Sequence, residues 1–136
     1  MPLANPKQTE VQFTYDQIDL MARIHAIFPD DFSHSQGLNA DDAMRAFQEG
    51  KFISPLGIEG LHQIGNMASN LRRYYAMGVR YATLTHNCHN KYADAALEEY
   101  PLRKATPVSN GISEAGSKLI NEMNRIGMIV DLSHVR

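Results

Sequence analysis

A single cysteine, Cys88, is all that the 136 residues offer for disulfide or thiolate chemistry. One thiol excludes an internal disulfide and a cysteine-based zinc ribbon. It fits a reducing compartment, and equally a chain separated from its partner cysteine. As a nucleophile Cys88 has no evident activating helix N-terminus, and strand geometry points the flanking His86 and His89 in different directions, so a cysteine hydrolase is set aside. No Lys/Arg cluster occurs and the net charge is -2, so no nucleic-acid partner is expected. No apolar run approaches the roughly 18 residues of a membrane span. The opening "MPLANPKQTE" lacks the apolar stretch of a signal peptide. There is no GxGxxG, P-loop, GxSxG or HExxH. The missing phosphate-binding glycine loop counts against a small flavodoxin-like binding domain.

What remains is ordinary globular material, 43% hydrophobic and 21% charged, of a length that suits one domain. Residues 1–12 read as a polar leader and 13–136 as the folded domain. "FTYDQIDLMARIHAIF" predicts a helix opened by a Thr14/Gln17 capping box, with Ile18, Met21, Ala22 and Phe28 near one face. A helix–glycine–strand unit then recurs. Asn39 opens a helix with Ala43, Met44 and Phe47 on a face, Gly50 closes it, and "KFISPLGIE" follows as a strand. Asn70 or Ser69 opens "LRRYYAM", Gly78 closes it, and "VRYATLTH" follows. Ser113 opens "EAGSKLINEMNRI", with Leu119, Ile120, Met123 and Ile126 in one stripe; Gly127 closes it and "MIVDLSH" follows. Glycine suits the position after a helix because it enters the left-handed region without a Cβ clash. The repeat and the nearly continuous apolar strands predict a parallel α/β sheet, with irregular pairing at Pro55.

The strand ends carry the chemistry. The first run reaches Glu59 nine residues after Gly50, the second His86 eight after Gly78, the third His134 seven after Gly127. In parallel β/α folds the C-terminal strand ends converge on the active site. One carboxylate and two imidazoles on a common rim make a metal or proton-transfer site; taken singly, each is an ordinary structural or turn residue, and the pattern leaves both readings open. His25 on a helix flank, His34 in a loop, and His62 and His89 just past strand ends are expected to be structural. The Tyr74-Tyr75 pair is expected to be helix-to-sheet packing.

"GIEG" at 57–60, "GVRYATLTHNC" at 78–88, "YAD" at 92–94 and "GMIVDLSHV" at 127–135 resemble the membrane (renal-type) dipeptidases, zinc metallopeptidase family M19. "ADDAMRAFQEGKF" and "NGISEAGSKLINEMNRIG" resemble that family too, and "THNCHNKYADAA" looks most like its fungal members. The resemblance runs from about residue 14 to the last residue. It implies a metallo-dependent hydrolase fold, the (β/α)8 TIM barrel, with two Zn(2+) per complete active site and a dipeptide as substrate. By motif, Glu59 would bridge both zincs, His134 would be a terminal zinc ligand, and His86 would contact substrate and stabilise the oxyanion without binding metal. Activated hydroxide from the two zincs would attack the peptide carbonyl. Complete members are often homodimers. Cys88 looks like the cysteine that pairs upstream in secreted relatives; without that upstream residue it is expected to be a free thiol.

The family's His-x-Asp zinc pair is absent from these residues, Leu61 stands within the family's "EGGH", and the later zinc histidine, arginine and aspartate would lie beyond His134. A complete barrel takes about 250 residues. The expectation is therefore three helix–strand units of an incomplete barrel, an internal fragment with bare sheet edges and part of an active site, inactive alone. The alternative is a non-catalytic α/β fragment or interaction module that pairs with another chain. No membrane anchor is visible, and localisation stays open because terminal segments look missing.

Overall fold

The computed structural model describes residues 9–33, 39–99 and 101–136. The expectation for His34 falls outside them. Helix α1 (Glu10–Ile27) opens the described chain, earlier than the periodicity predicts, so residues 10–12 of the polar leader are helical. Two Thr-x-x-Gln patterns, at 9–12 and 14–17, compete for its start, and the upstream one wins. Thr9 Oγ1 accepts from Gln12 N–H at 3.2 Å, and Gln12 Oε1 accepts from Thr9 N–H at 2.9 Å. Thr14 is left mid-helix and buried, where its hydroxyl donates back to Glu10 O at 2.8 Å and touches the Gln63 side chain.

Helix α2 (Ala40–Gln48) is capped as expected by Asn39, whose side chain accepts from Asp42 N–H at 2.9 Å. Its expected apolar face is not core: Met44 and Phe47 are exposed, and Ala46 is the buried residue. An amphipathic stripe shows which side seeks a partner, and nothing among the described residues covers this one. Strand β1 (Leu56–Glu59) begins only after Pro55, which has no N–H for a ladder, and the pairing register slips between Leu56 and Gly57. A short 3-10 turn (Leu61–Ile64) leads to α3 (Ala68–Ala76). Neither Asn70 nor Ser69 caps α3; the cap position is Met67. Asn70 is buried and otherwise engaged, donating to Ile64 O at 3.1 Å and accepting from Tyr15 OH at 3.3 Å.

Strand β2 (Val79–Thr83) is followed by a small antiparallel pair, β3 (Leu97–Glu98) with β4 (Arg103–Lys104). Helix α4 (Glu114–Ile126) has the predicted ends: Ser113 accepts from Gly116 N–H at 3.0 Å, and Gly127 adopts φ 83°. Strand β5 (Ile129–Asp131) completes a parallel sheet in the order β1-β2-β5.

The core lies between this sheet and its helices. Ile58, Val79, Ala82 and Leu84 meet Leu71 and Tyr74 of α3 and Leu119 and Met123 of α4. Tyr74 is fully buried, its ring edge-on to Tyr15 with centroids 4.9 Å apart, and its hydroxyl donates to Gln63 O at 2.9 Å. Tyr75 packs at the rim of the core beneath Arg80, as expected of packing residues. The outer strands are bare among the described residues, and Phe52, Ile129 and Leu132 stand in solvent. No described helix is long and apolar enough to cross a membrane.

Candidate metal centre

The parallel register aligns three strand ends, because Glu59 pairs with Thr83 and Thr83 with Asp131. The strands stop there, so β2 ends at Thr83 and β5 at Asp131, short of the histidines that the apolar runs suggested. His86 and His134 each follow their aligned residue by three positions, on loops that leave the same end of the sheet. Side chains distant in sequence therefore converge. Glu59 Oε1 lies 3.3 Å from His134 Nε2 and 3.5 Å from His86 Nε2. The two imidazoles meet edge to face, centroids 4.8 Å apart and planes at 84°. All three side chains keep access to solvent.

The loop carrying His134 is held from both sides. Asp131 Oδ1 accepts from Ser133 N–H at 2.9 Å and Ser133 Oγ–H at 2.8 Å, while Oδ2 accepts from Thr83 Oγ–H at 3.0 Å. The Ser133 hydrogen bonds, then that from Thr83, hold the Asp131 carboxyl below its ordinary pKa. On the far side, His134 O accepts from Ala96 N–H at 2.8 Å, and Arg136 N–H donates to Asp94 O at 3.1 Å. Asp94 is itself buried. Burial pushes its carboxyl up, but N–H donors from Ser109, Val108 and Gly111 outweigh this and bring it below the ordinary value. Asp131 did not stand out in the sequence as a site-building residue, and Asp94 did so only as part of the "YAD" motif. The Asp-x-Ser spacing at 131–133, an Asx-turn pattern, was the available signal.

The other histidines sit elsewhere. His25 is buried, stacked on Phe32, with Nε2 3.1 Å from Ser54 Oγ. His89 accepts from Ala95 N–H at 3.1 Å and braces the loop below the site. His62 is the nearest bystander: burial lowers its pKa first, with Glu10, His86 and Glu59 acting on its charge. Cys88 is a free, exposed thiol, and partial desolvation followed by the Glu10 carboxylate raises its pKa, the reverse of nucleophile activation.

The donor set fits a divalent transition metal. One ligand atom from each of Glu59, His86 and His134 falls within a 4.8 Å span. Two ligands at zinc bond lengths on a tetrahedral ion stand about 3.4 Å apart, and the 3.3 Å ion-pair contact between Glu59 and His134 is of that size. Imidazole with carboxylate is a donor set that several divalent metals accept.

Known proteins share this sequence and this fold. The chain is 48% identical over 122 residues to dipeptidase tcpJ of Claviceps purpurea, an alignment covering 90% of this chain and 27% of that protein. It is 46% identical over 135 residues to dipeptidase aclJ of Aspergillus oryzae, covering 96% of this chain and 31% of that one. It thus spans less than a third of the length of these relatives. The solved structure of the probable dipeptidase PvdM from Pseudomonas aeruginosa superposes with a TM-score of 0.76 at 22% identity, over 88% of this chain and 29% of that one. The architecture is that of a partial (β/α)8 barrel. Membrane dipeptidase (peptidase family M19) matches residues 1–136, and the chain belongs to that family.

Proposed function

We propose that this chain supplies one wall of the active site of a zinc-dependent dipeptidase. The observation that carries the reading is the meeting of Glu59 with His134 and His86 at the C-terminal rim of three parallel strands. Family membership and the relatives named as dipeptidases support the substrate class.

Glu59 and His134 would hold metal, Glu59 as the carboxylate shared by two zincs. Zinc would supply activated water at neutral pH and polarise the scissile carbonyl. His86 has a different task. It stands on the adjacent strand's loop with access to solvent, placed to meet a substrate that enters over the rim. Its imidazole N–H would donate to the carbonyl oxygen as negative charge builds there, a contact of a kind worth about 3–4 kcal/mol. Glu59 and His134 alone are too few to fix a binuclear centre, so the 136-residue chain would bind zinc weakly and hydrolyse nothing by itself.

The test is a Zn2+ titration of the chain and of three variants, with dipeptide hydrolysis assayed alongside. Glu59→Gln and His134→Ala abolish saturable binding, and His86→Ala retains it. Zinc affinity indifferent to Glu59→Gln sinks the metal centre. Loss of affinity in His86→Ala makes His86 a third ligand, and two tightly held zincs with turnover overturn the incomplete-site reading. The bare apolar side chains Phe47, Phe52 and Ile129 favour a second possibility, an interaction module. A metal-indifferent oligomer on size exclusion supports that instead.

A further inference from the structure

Resting on the metal-centre reading, we propose that Asp131 is the positioning residue for His134. Its carboxylate fixes where the imidazole stands relative to Glu59, without touching the metal or the substrate.

His134 adopts φ 65°, a left-handed conformation that side chains rarely take, so something must hold the loop in that shape. Asp131 does so with both oxygens. Through Oδ1 it closes the turn onto the N–H and hydroxyl of Ser133, the residue directly before His134. Through Oδ2 it ties that turn to Thr83, its register partner on the central strand. Thr83 is in turn the register partner of Glu59. A single carboxylate thus references the His134 loop to the strand pair that presents Glu59. The hydrogen bond from Ala96 N–H to His134 O anchors the backbone beyond. With the turn and the backbone both fixed, the imidazole is left to meet Glu59 at 3.3 Å. A side chain needed only to end β5 would have no reason to engage the next strand and the following turn at once.

The test uses the 136-residue chain, histidine-ring NMR and Zn2+ as the probe. In the metal-free protein the His86 and His134 rings, 4.8 Å apart between centroids, give a ring-to-ring NOE. Asp131→Ala is expected to lose that NOE and to weaken zinc binding by about 10–100-fold, the usual cost of removing support behind a ligand, while core amide shifts stay in place. Asp131→Asn keeps an oxygen for Ser133 N–H and recovers most of both signals. Thr83→Val removes only the tie to the central strand and gives an intermediate loss. An intact NOE and wild-type affinity in Asp131→Ala overturn the proposal. So does an unfolded Asp131→Ala beside a Thr83→Val protein of unchanged affinity, since the role is then only structural. If the wild-type chain shows no zinc binding through Glu59 and His134, the metal-centre reading fails, and the NOE alone decides whether Asp131 places His134.

Discussion

Gly60 and the backbone of His86 approach so closely that a Cβ on Gly60 would lie 3.3 Å from the His86 amide nitrogen. The same Cβ would sit 2.5 Å from the His62 ring, and Gly60 holds φ 101°. This is the peptide that turns the chain directly after Glu59, with Gly60 N–H donating to Thr83 O at 3.2 Å. Any side chain here strains the backbone and pushes His62 aside. Gly60→Ala is expected to cost about 1–3 kcal/mol in urea unfolding. It should also weaken Zn2+ binding, because Glu59 moves with the turn. A variant as stable as wild type, with unchanged zinc affinity, would show that the close approach is not needed.

Asp94 organises the loop that backs His134, taking three N–H groups on one oxygen. Asp94→Asn turns that acceptor toward an amide whose N–H2 can face the same donors. A loss of about 1–3 kcal/mol at pH 7 is expected, with proteolytic cutting between residues 105 and 111 as the local sign. The sign with pH follows from the lowered pKa. The stabilisation is complete above the ordinary value of 3.8 and is lost as pH falls through the lower folded value. Equal stability of Asp94→Asn and wild type at pH 7 would refute the role.

Tyr74 puts a hydroxyl into the middle of the core, and burial raises its pKa to about 12. Its partner is the carbonyl of Gln63, in the turn that follows Glu59. Tyr74→Phe keeps the ring against Tyr15 and removes the hydroxyl's hydrogen bond to Gln63 O and its longer one to Val11 O, for an expected loss of about 1 kcal/mol. Tyr74→Ala opens a cavity and should cost about 3–5 kcal/mol. The contrast in urea midpoints measures packing against polar satisfaction; similar losses for the two variants would contradict that division.

What the sequence made legible was local or set by topology. Ser113 and Gly127 mark the ends of α4 because caps act within one turn. Glu59, His86 and His134 were readable together because a parallel sheet brings successive strand ends to one rim. The start of α1 was misplaced because Thr9 and Thr14 head equivalent patterns, and only tertiary burial of Thr14 decides between them. Met44 and Phe47 share a readable apolar face yet stand exposed, because periodicity identifies such a face but not its cover. The Asp131–Thr83 bond joins residues 48 apart in the chain, which no local pattern encodes.

Glu122 links α3 to α4 and should govern part of the acid limb of stability. Arg125 donates to it twice at 2.7 Å along α4, and Arg72 reaches across from α3 at 3.0 Å. The Arg125 hydrogen bonds first, then that of Arg72, depress its carboxyl from 4.5 to about 2. Because the folded value is the lower one, the unfolded chain binds the extra proton between these limits. The contribution is therefore whole above pH 4.5 and drains away as pH falls toward 2. At neutral pH Glu122→Gln should change stability only slightly, since exposed ion pairs are screened by water and salt. Between pH 7 and pH 3 the variant should lose less stability than wild type. Arg72→Met should reproduce part of that flattening, because Arg72 is the donor that spans the two helices. Urea midpoints at the two pH values decide the matter, and parallel pH profiles for wild type and Glu122→Gln would mean that the pair is ornamental in solution.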